Sequence, residues 1–197
     1  MVLGIAGGVG SGKSAVIKYF KEHGAFAILS DEVAKKISES EGPALDKIRD
    51  LFKNDNVLTS DGFMDRTKVA ALIFNDEDKK QALNDILHPA TKEEIVRMIS
   101  KVKQAEPDRL ILLESAIFFE TGCDEIVDKV LFVYADEDVR IKRLMEGRGY
   151  TEEKCRSIMS KQMSAEELKA RCDYVIDNSG TLEDTIKQCE WLGVKCS

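Results

Sequence analysis

Residues 7–14 read Gly-Gly-Val-Gly-Ser-Gly-Lys-Ser, set between the apolar run Val2–Ala6 and a helix-like run over residues 13–22. A strand, a glycine-rich turn, a lysine, a hydroxyl and a helix in that order leave few folds open. An ordinary turn needs one or two glycines, whereas Gly7, Gly8, Gly10 and Gly12 crowd into this one. Without Cβ atoms the backbone reaches unusual φ/ψ values, and its N–H groups can approach an anion closely. The following helix points its positive end at the same place. The spacing G-x-x-x-x-G-K-[ST] is that of a phosphate-binding loop, in the strand-to-helix context this motif requires. Gly8, Val9, Gly10, Ser11, Gly12, Lys13, Ser14 and Ala15 are therefore expected to cradle a nucleotide. Lys13 would bridge its outer phosphates and the Ser14 hydroxyl would ligate Mg²⁺.

The rest of the chain reads as α/β. Short apolar runs at 2–6, 25–29, 110–114, 130–135 and 174–177 are nearly continuous rather than alternating, as in strands buried on both faces of a parallel sheet. Helical patterns lie between them. The second and third runs are far apart, and residues 43–52, 66–74, 79–87 and 90–102 each read as an amphipathic helix in that gap. Pro43 suits a helix start and Asp61–Gly62 marks a turn. The spacing predicts a core of residues 1–34, 108–136 and 170–197, a helical insertion at 35–107 and a charged helical excursion at 137–169.

Composition narrows the class. A length of 197 residues suits one compact domain with insertions, and 43% apolar with 33% charged residues is ordinary for a soluble protein. The net charge of −7 argues against a general nucleic-acid binder. No apolar run approaches the ~18–20 residues that span a bilayer, and strand-like sequence from Val2 leaves no room for a signal peptide. Cys123, Cys155, Cys172, Cys189 and Cys196 form neither a disulfide framework nor a zinc spacing, which points to a reducing cytosol. Nothing in the sequence sets the oligomeric state.

Nucleotide binding admits several functions. A GTPase-type switch wants Asp-x-x-Gly after an early strand and an Asn-Lys-x-Asp later. The stretch Asp177–Gly180 fits the first pattern but lies near the carboxyl end, and the second pattern is missing. A large ATPase motor needs more modules than this length holds, so a small kinase is favoured. A kinase must orient and deprotonate an acceptor hydroxyl near the γ-phosphate. Asp31 follows the second strand at the carboxyl edge, where open α/β sheets bind ligands, and could do this or cap a helix. Glu114 ends the third strand and could hold Mg²⁺ through water or make local hydrogen bonds. Arg140, Arg143 and Arg148 could clamp the moving phosphoryl group, and positions 140 and 143 share a helix face. His88, beside Pro89, could be structural or could hydrogen-bond a substrate phosphate.

The chain resembles the dephospho-CoA kinase family over nearly its whole length. The glycine loop is generic. Specificity comes from an ordered series: Asp61–Arg66 (DGFMDR), Ile86–Pro89 (ILHP), Ile117–Glu120 (IFFE), Arg140–Gly149, Lys161–Met163 (KQM) and Cys172–Gly180 (CDYVIDNSG). The resemblance implies transfer from ATP to the ribose 3′-hydroxyl of dephospho-CoA, giving CoA and ADP in the last step of CoA synthesis. It also implies a five-stranded parallel P-loop core, a helical CoA-binding insertion and a lid, with ATP, dephospho-CoA and Mg²⁺ as the small-molecule partners. By the same resemblance Asp31 is the second aspartate of an Asp-x-Asp pair and the base, and Arg143 is a lid arginine near the phosphates, with Arg148 beside it. His88 would lie near the acceptor and Asn178 near the adenine of ATP. Three positions depart from the family pattern: Leu29 replaces the first aspartate, Glu114 stands for the usual Asp, and Ala116 replaces a proline. The alternatives are another small P-loop nucleoside or nucleotide kinase, or a non-catalytic nucleotide switch.

Overall fold

The computed structural model describes residues 1–74 and 76–196; Asn75, Ser197 and the side chains of Lys195 and Cys196 lie outside the described residues. The chain divides into two compact units, Met1–Leu29 with Ile99–Ser197, and Ser30–Met98.

The first unit is built on five strands, β1 (Val2–Ala6), β2 (Phe26–Leu29), β3 (Ile111–Glu114), β4 (Lys129–Tyr134) and β5 (Tyr174–Asp177). They form one parallel sheet in the order β2-β3-β1-β4-β5. All five expected strands are present, within a residue or so of the apolar runs. Side chains alternate across a strand. Leu3 and Ile5 of β1, Leu112 of β3, Leu131 and Val133 of β4 and Ile176 of β5 share one core with α1 (Lys13–Glu22) and α9 (Leu182–Cys196). These helices contribute Val16, Ile17, Phe20, Cys189 and Leu192 to it. After β4 the chain forms α6 (Glu137–Arg148), α7 (Glu152–Met159) and α8 (Ala165–Arg171) before re-entering the sheet as β5. Ile141, Leu144 and Cys155 make a small core of their own there, against which Val9 packs.

The second unit holds α2 (Ser30–Ser38), α3 (Pro43–Leu51), α4 (Arg66–Ile73) and the first part of α5 (Glu77–Ala105). Ile48, Phe52, Val57, Val69 and Leu83 form its core. Pro43 starts α3, the Asp65 carboxylate caps α4, and a short antiparallel bridge between Leu58 and Met64 closes around the turn at Asp61–Gly62.

One element differs from the sequence reading. The two helices expected at 79–87 and 90–102 are a single helix, α5, which runs through Pro89. A proline inside a helix lacks the N–H for one backbone bond and costs about 3 kcal/mol. Leu83 and Ile95, on either side of it, are buried. Burying two such side chains contributes about 1.5–3 kcal/mol each, enough to offset that cost.

Candidate active site

The carboxyl end of β1 runs directly into the glycine-rich loop, and α1 begins at Lys13. Gly12 precedes the helix with φ 90°, a left-handed conformation, and a Cβ there would overlap the Asn178 amide. Only glycine fits. The helix has no side-chain cap and no acidic residue in its first turn. By contrast α7 and α8 are capped by Thr151 and Ser164 and carry glutamates in their first turns. The positive end of α1 is thus left uncompensated by its own sequence, as an anion site requires. Ser14, in that first turn, is exposed. Ser11 is buried, and its hydroxyl finds no hydrogen-bond partner among the described residues.

Lys13 Nζ donates to the Gly7 carbonyl at 2.8 Å and lies 3.5 Å from Glu114 Oε1. Sheet register explains this proximity, since β3 pairs with β1 so that Glu114 stands opposite Ile5, just before the loop. Leu29, at the same level on β2, is partly buried against the core of the first unit.

Helix α6 brings two of the three candidate arginines to the loop. Arg140 Nε donates to the Val9 carbonyl at 2.9 Å. Arg143 donates to the Asn178 carbonyl at 2.8 Å and to the Ser11 carbonyl at 3.5 Å. Positions three apart on one helix face reach the same target. Arg148, the last residue of α6, is exposed and bonds to none of the loop among the described residues. Asn178, just past β5, is buried: its Nδ2 donates to the Ser11 carbonyl at 2.7 Å, and its Oδ1 accepts from Thr185 at 2.7 Å. Its side chain therefore braces the loop from below.

Among the described residues, neither Arg140 nor Arg143 has a carboxylate within ion-pair distance, although both are half-buried. Burial pulls the Arg140 pKa below its ordinary value, with Glu137 only partly opposing it. A half-buried cation without a counter-ion is costly unless something anionic comes to it. Lys13, Arg140 and Arg143, together with the uncapped end of α1, surround residues 7–14, and among the described residues Glu114 is the carboxylate that opposes them at ion-pair range. Such a site suits a polyanion.

Asp31 and His88 belong to the other unit. Asp31 is the second residue of α2, exposed in its first turn, and β2 ends two residues earlier. Ser30 already belongs to the helix, so Asp31 is not a cap. His88 is half-buried within α5, directly before Pro89.

Gln162 is a residue whose contact to the loop sequence reasoning did not foresee: its side chain accepts from Val9 N–H at 3.0 Å. One glutamine in a loop carries no spacing signal, and only its place in the ordered series, within Lys161–Met163, could have drawn attention to it.

Comparison with known proteins agrees with this geometry. Residues 1–184 match the family described as dephospho-CoA kinase (CoaE). A dephospho-CoA kinase from Shouchella clausii is 35% identical over 188 residues, covering 95% of this chain and 94% of its own. The structure of TT1252 from Thermus thermophilus superposes with a TM-score of 0.83 at 27% identity, covering 99% of this chain and 96% of that one. A dephospho-CoA kinase from Campylobacter jejuni shares the fold with a TM-score of 0.69 at 22% identity, covering 100% of this chain and 97% of that one.

Proposed function

The chain belongs to the dephospho-CoA kinase family, and from that premise we propose that it transfers the γ-phosphoryl of ATP to the ribose 3′-hydroxyl of dephospho-CoA, giving CoA and ADP. The observation that carries this reading is the cluster of Lys13, Arg140 and Arg143 around an uncapped helix end, with Glu114 beside Lys13 the one carboxylate at ion-pair range among the described residues.

In this reading the amides of Gly8–Ala15 hold the triphosphate, and Lys13 leaves the Gly7 carbonyl to bridge its outer phosphates. Arg143 stabilises the charge that spreads over the transferring oxygens, where a preorganised donor is worth most. Arg148 supports the same clamp from the end of α6. Asn178 serves the nucleotide by fixing the Ser11 carbonyl beneath the loop. Asp31 orients the acceptor hydroxyl and takes its proton, and His88 hydrogen-bonds the acceptor. The functional modules of this reading are a core of residues 1–34, 108–136 and 170–197, an acceptor-binding insertion at 35–107 and a lid at 137–169. These bounds differ from those of the compact units, of which the second runs from Ser30 to Met98. A closing lid excludes water and so suppresses wasteful hydrolysis of ATP.

The residues fit Mg²⁺. Ser14 presents an exposed hydroxyl in the first turn of α1, and the Glu114 carboxylate lies beside Lys13. Both offer the hard oxygen donors this ion prefers. Ser14 would hold it directly and Glu114 through water. An ion held by these two residues would supply positive charge against the outer phosphates. The cytoplasm is the compartment this reading implies, and it is supported by Cys123, Cys155, Cys172 and Cys189 forming no disulfide among the described residues. No helix of the described residues is long and apolar enough to cross a membrane.

A coupled ADP-release assay tests the reading, with dephospho-CoA run beside a panel of nucleosides and nucleotides. ADP release dependent on dephospho-CoA is expected. Transfer to AMP or thymidylate with none to dephospho-CoA would overturn the assignment, and nucleotide binding without transfer to any acceptor would favour a switch.

A further inference from the structure

Gln162 lies in the loop between α7 and α8, two residues ahead of the serine that caps α8. Its Oε1 accepts from two donors, Val9 N–H at 3.0 Å and Arg140 Nη2 at 3.2 Å. The same arginine donates through Nε to the Val9 carbonyl at 2.9 Å. Val9 therefore has both its N–H and its carbonyl held by side chains more than 130 residues away in sequence. The adjoining Gly8 is shaped for this pair, because a Cβ there would overlap Arg140 Nη2 and approach Gln162 Oε1 to 3.1 Å.

Resting on the kinase reading above, we infer that Gln162 is a positioning residue for nucleotide binding: a neutral acceptor that aims Arg140 and fixes the Val9 peptide without cancelling the arginine's charge. Two physical arguments lead there. A loop rich in glycine loses much conformational freedom when ordered, and a loop ordered before the nucleotide arrives leaves less of that loss to be met from binding. Arg140, in addition, is a half-buried cation with no carboxylate at ion-pair range among the described residues. A carboxylate at position 162 would accept the same two hydrogen bonds and would neutralise Arg140 in doing so. An amide gives the orientation and leaves the positive potential for the phosphates.

The two halves of the inference separate experimentally. Gln162→Leu removes the acceptor, whereas Gln162→Glu keeps it and adds a charge. ATP binding to the intact chain is measured by calorimetry without acceptor substrate, at low and high KCl, with thermal melts run alongside. Both variants are expected to bind ATP about tenfold more weakly than the parent at low salt. The deficit of Gln162→Glu should shrink as salt screens its charge, that of Gln162→Leu should not, and Gln162→Glu should melt no lower than the parent. A purely structural role predicts instead that Gln162→Glu binds like the parent. Affinity within twofold of the parent for either variant at low salt would overturn the inference. Failure of the parent itself to bind ATP would overturn the functional reading, and this inference with it.

Discussion

In the proposed reaction Lys13 stands at the phosphate end and Asp31 at the acceptor end. Lys13 touches the loop and Glu114, so Lys13→Ala should lower kcat/KM by about a hundredfold or more, as removal of a charged donor from a preorganised site does. Steady-state kinetics with both substrates varied checks this, and unaltered kinetics would contradict a phosphate role. Asp31→Asn keeps the shape but cannot take a proton. It should lower kcat by roughly 10²–10⁴-fold, the usual contribution of a general base, with ATP affinity nearly unchanged. Near-normal kcat in that variant would remove Asp31 from the chemistry. Lys13 was legible from a motif of fixed length, and Arg143 from its place three residues after Arg140 on one helix together with the family resemblance. Gln162 and the bracing amide of Asn178 act through contacts between segments distant in sequence, where no local period exists to read.

Strands were more legible than helices. A strand buried on both faces announces itself as a short apolar run, as the inner strands β1, β3 and β4 do. The edge strands β2 and β5 read as apolar runs too, but β5 leaves Val175 and Asp177 exposed, so burial on both faces does not hold there. Pro89 misled because its local cost is visible in sequence, whereas the burial of Leu83 and Ile95 that offsets it depends on the rest of the unit. The junction of β4 and β5 supplies a test at this scale. Asp173, just before β5, accepts from Lys129 Nζ at 2.7 Å and from Val130 N–H at 2.8 Å, both on β4. Burial pushes its carboxyl pKa up, but the Lys129 hydrogen bond, the Val130 amide and the Lys129 charge together hold it below the ordinary aspartate value. A depressed folded pKa contributes stability that is present above the unfolded pKa and lost as pH falls through the folded one. Asp173→Asn should therefore unfold at lower urea than the parent at neutral pH, with the gap closing as the pH drops through and below the ordinary aspartate range. Parallel urea curves across pH check it, and a gap that widens in acid would contradict it.

At the scale of the molecule, the chain falls into two compact units, one with the phosphate loop and the arginines, the other with Asp31 and His88, the residues proposed to meet the acceptor. The long interval between the second and third strands is rich in helical periodicity, and α2, α3, α4 and α5 lie in it. The most direct measurement is a crystal structure with a non-hydrolysable ATP analogue and dephospho-CoA. Its triphosphate is expected against the amides of residues 8–15, with Lys13 Nζ moved from Gly7 to the outer phosphates and the ribose 3′-hydroxyl within hydrogen-bond reach of Asp31. A triphosphate lodged elsewhere, with Lys13 still on the Gly7 carbonyl, would contradict the account.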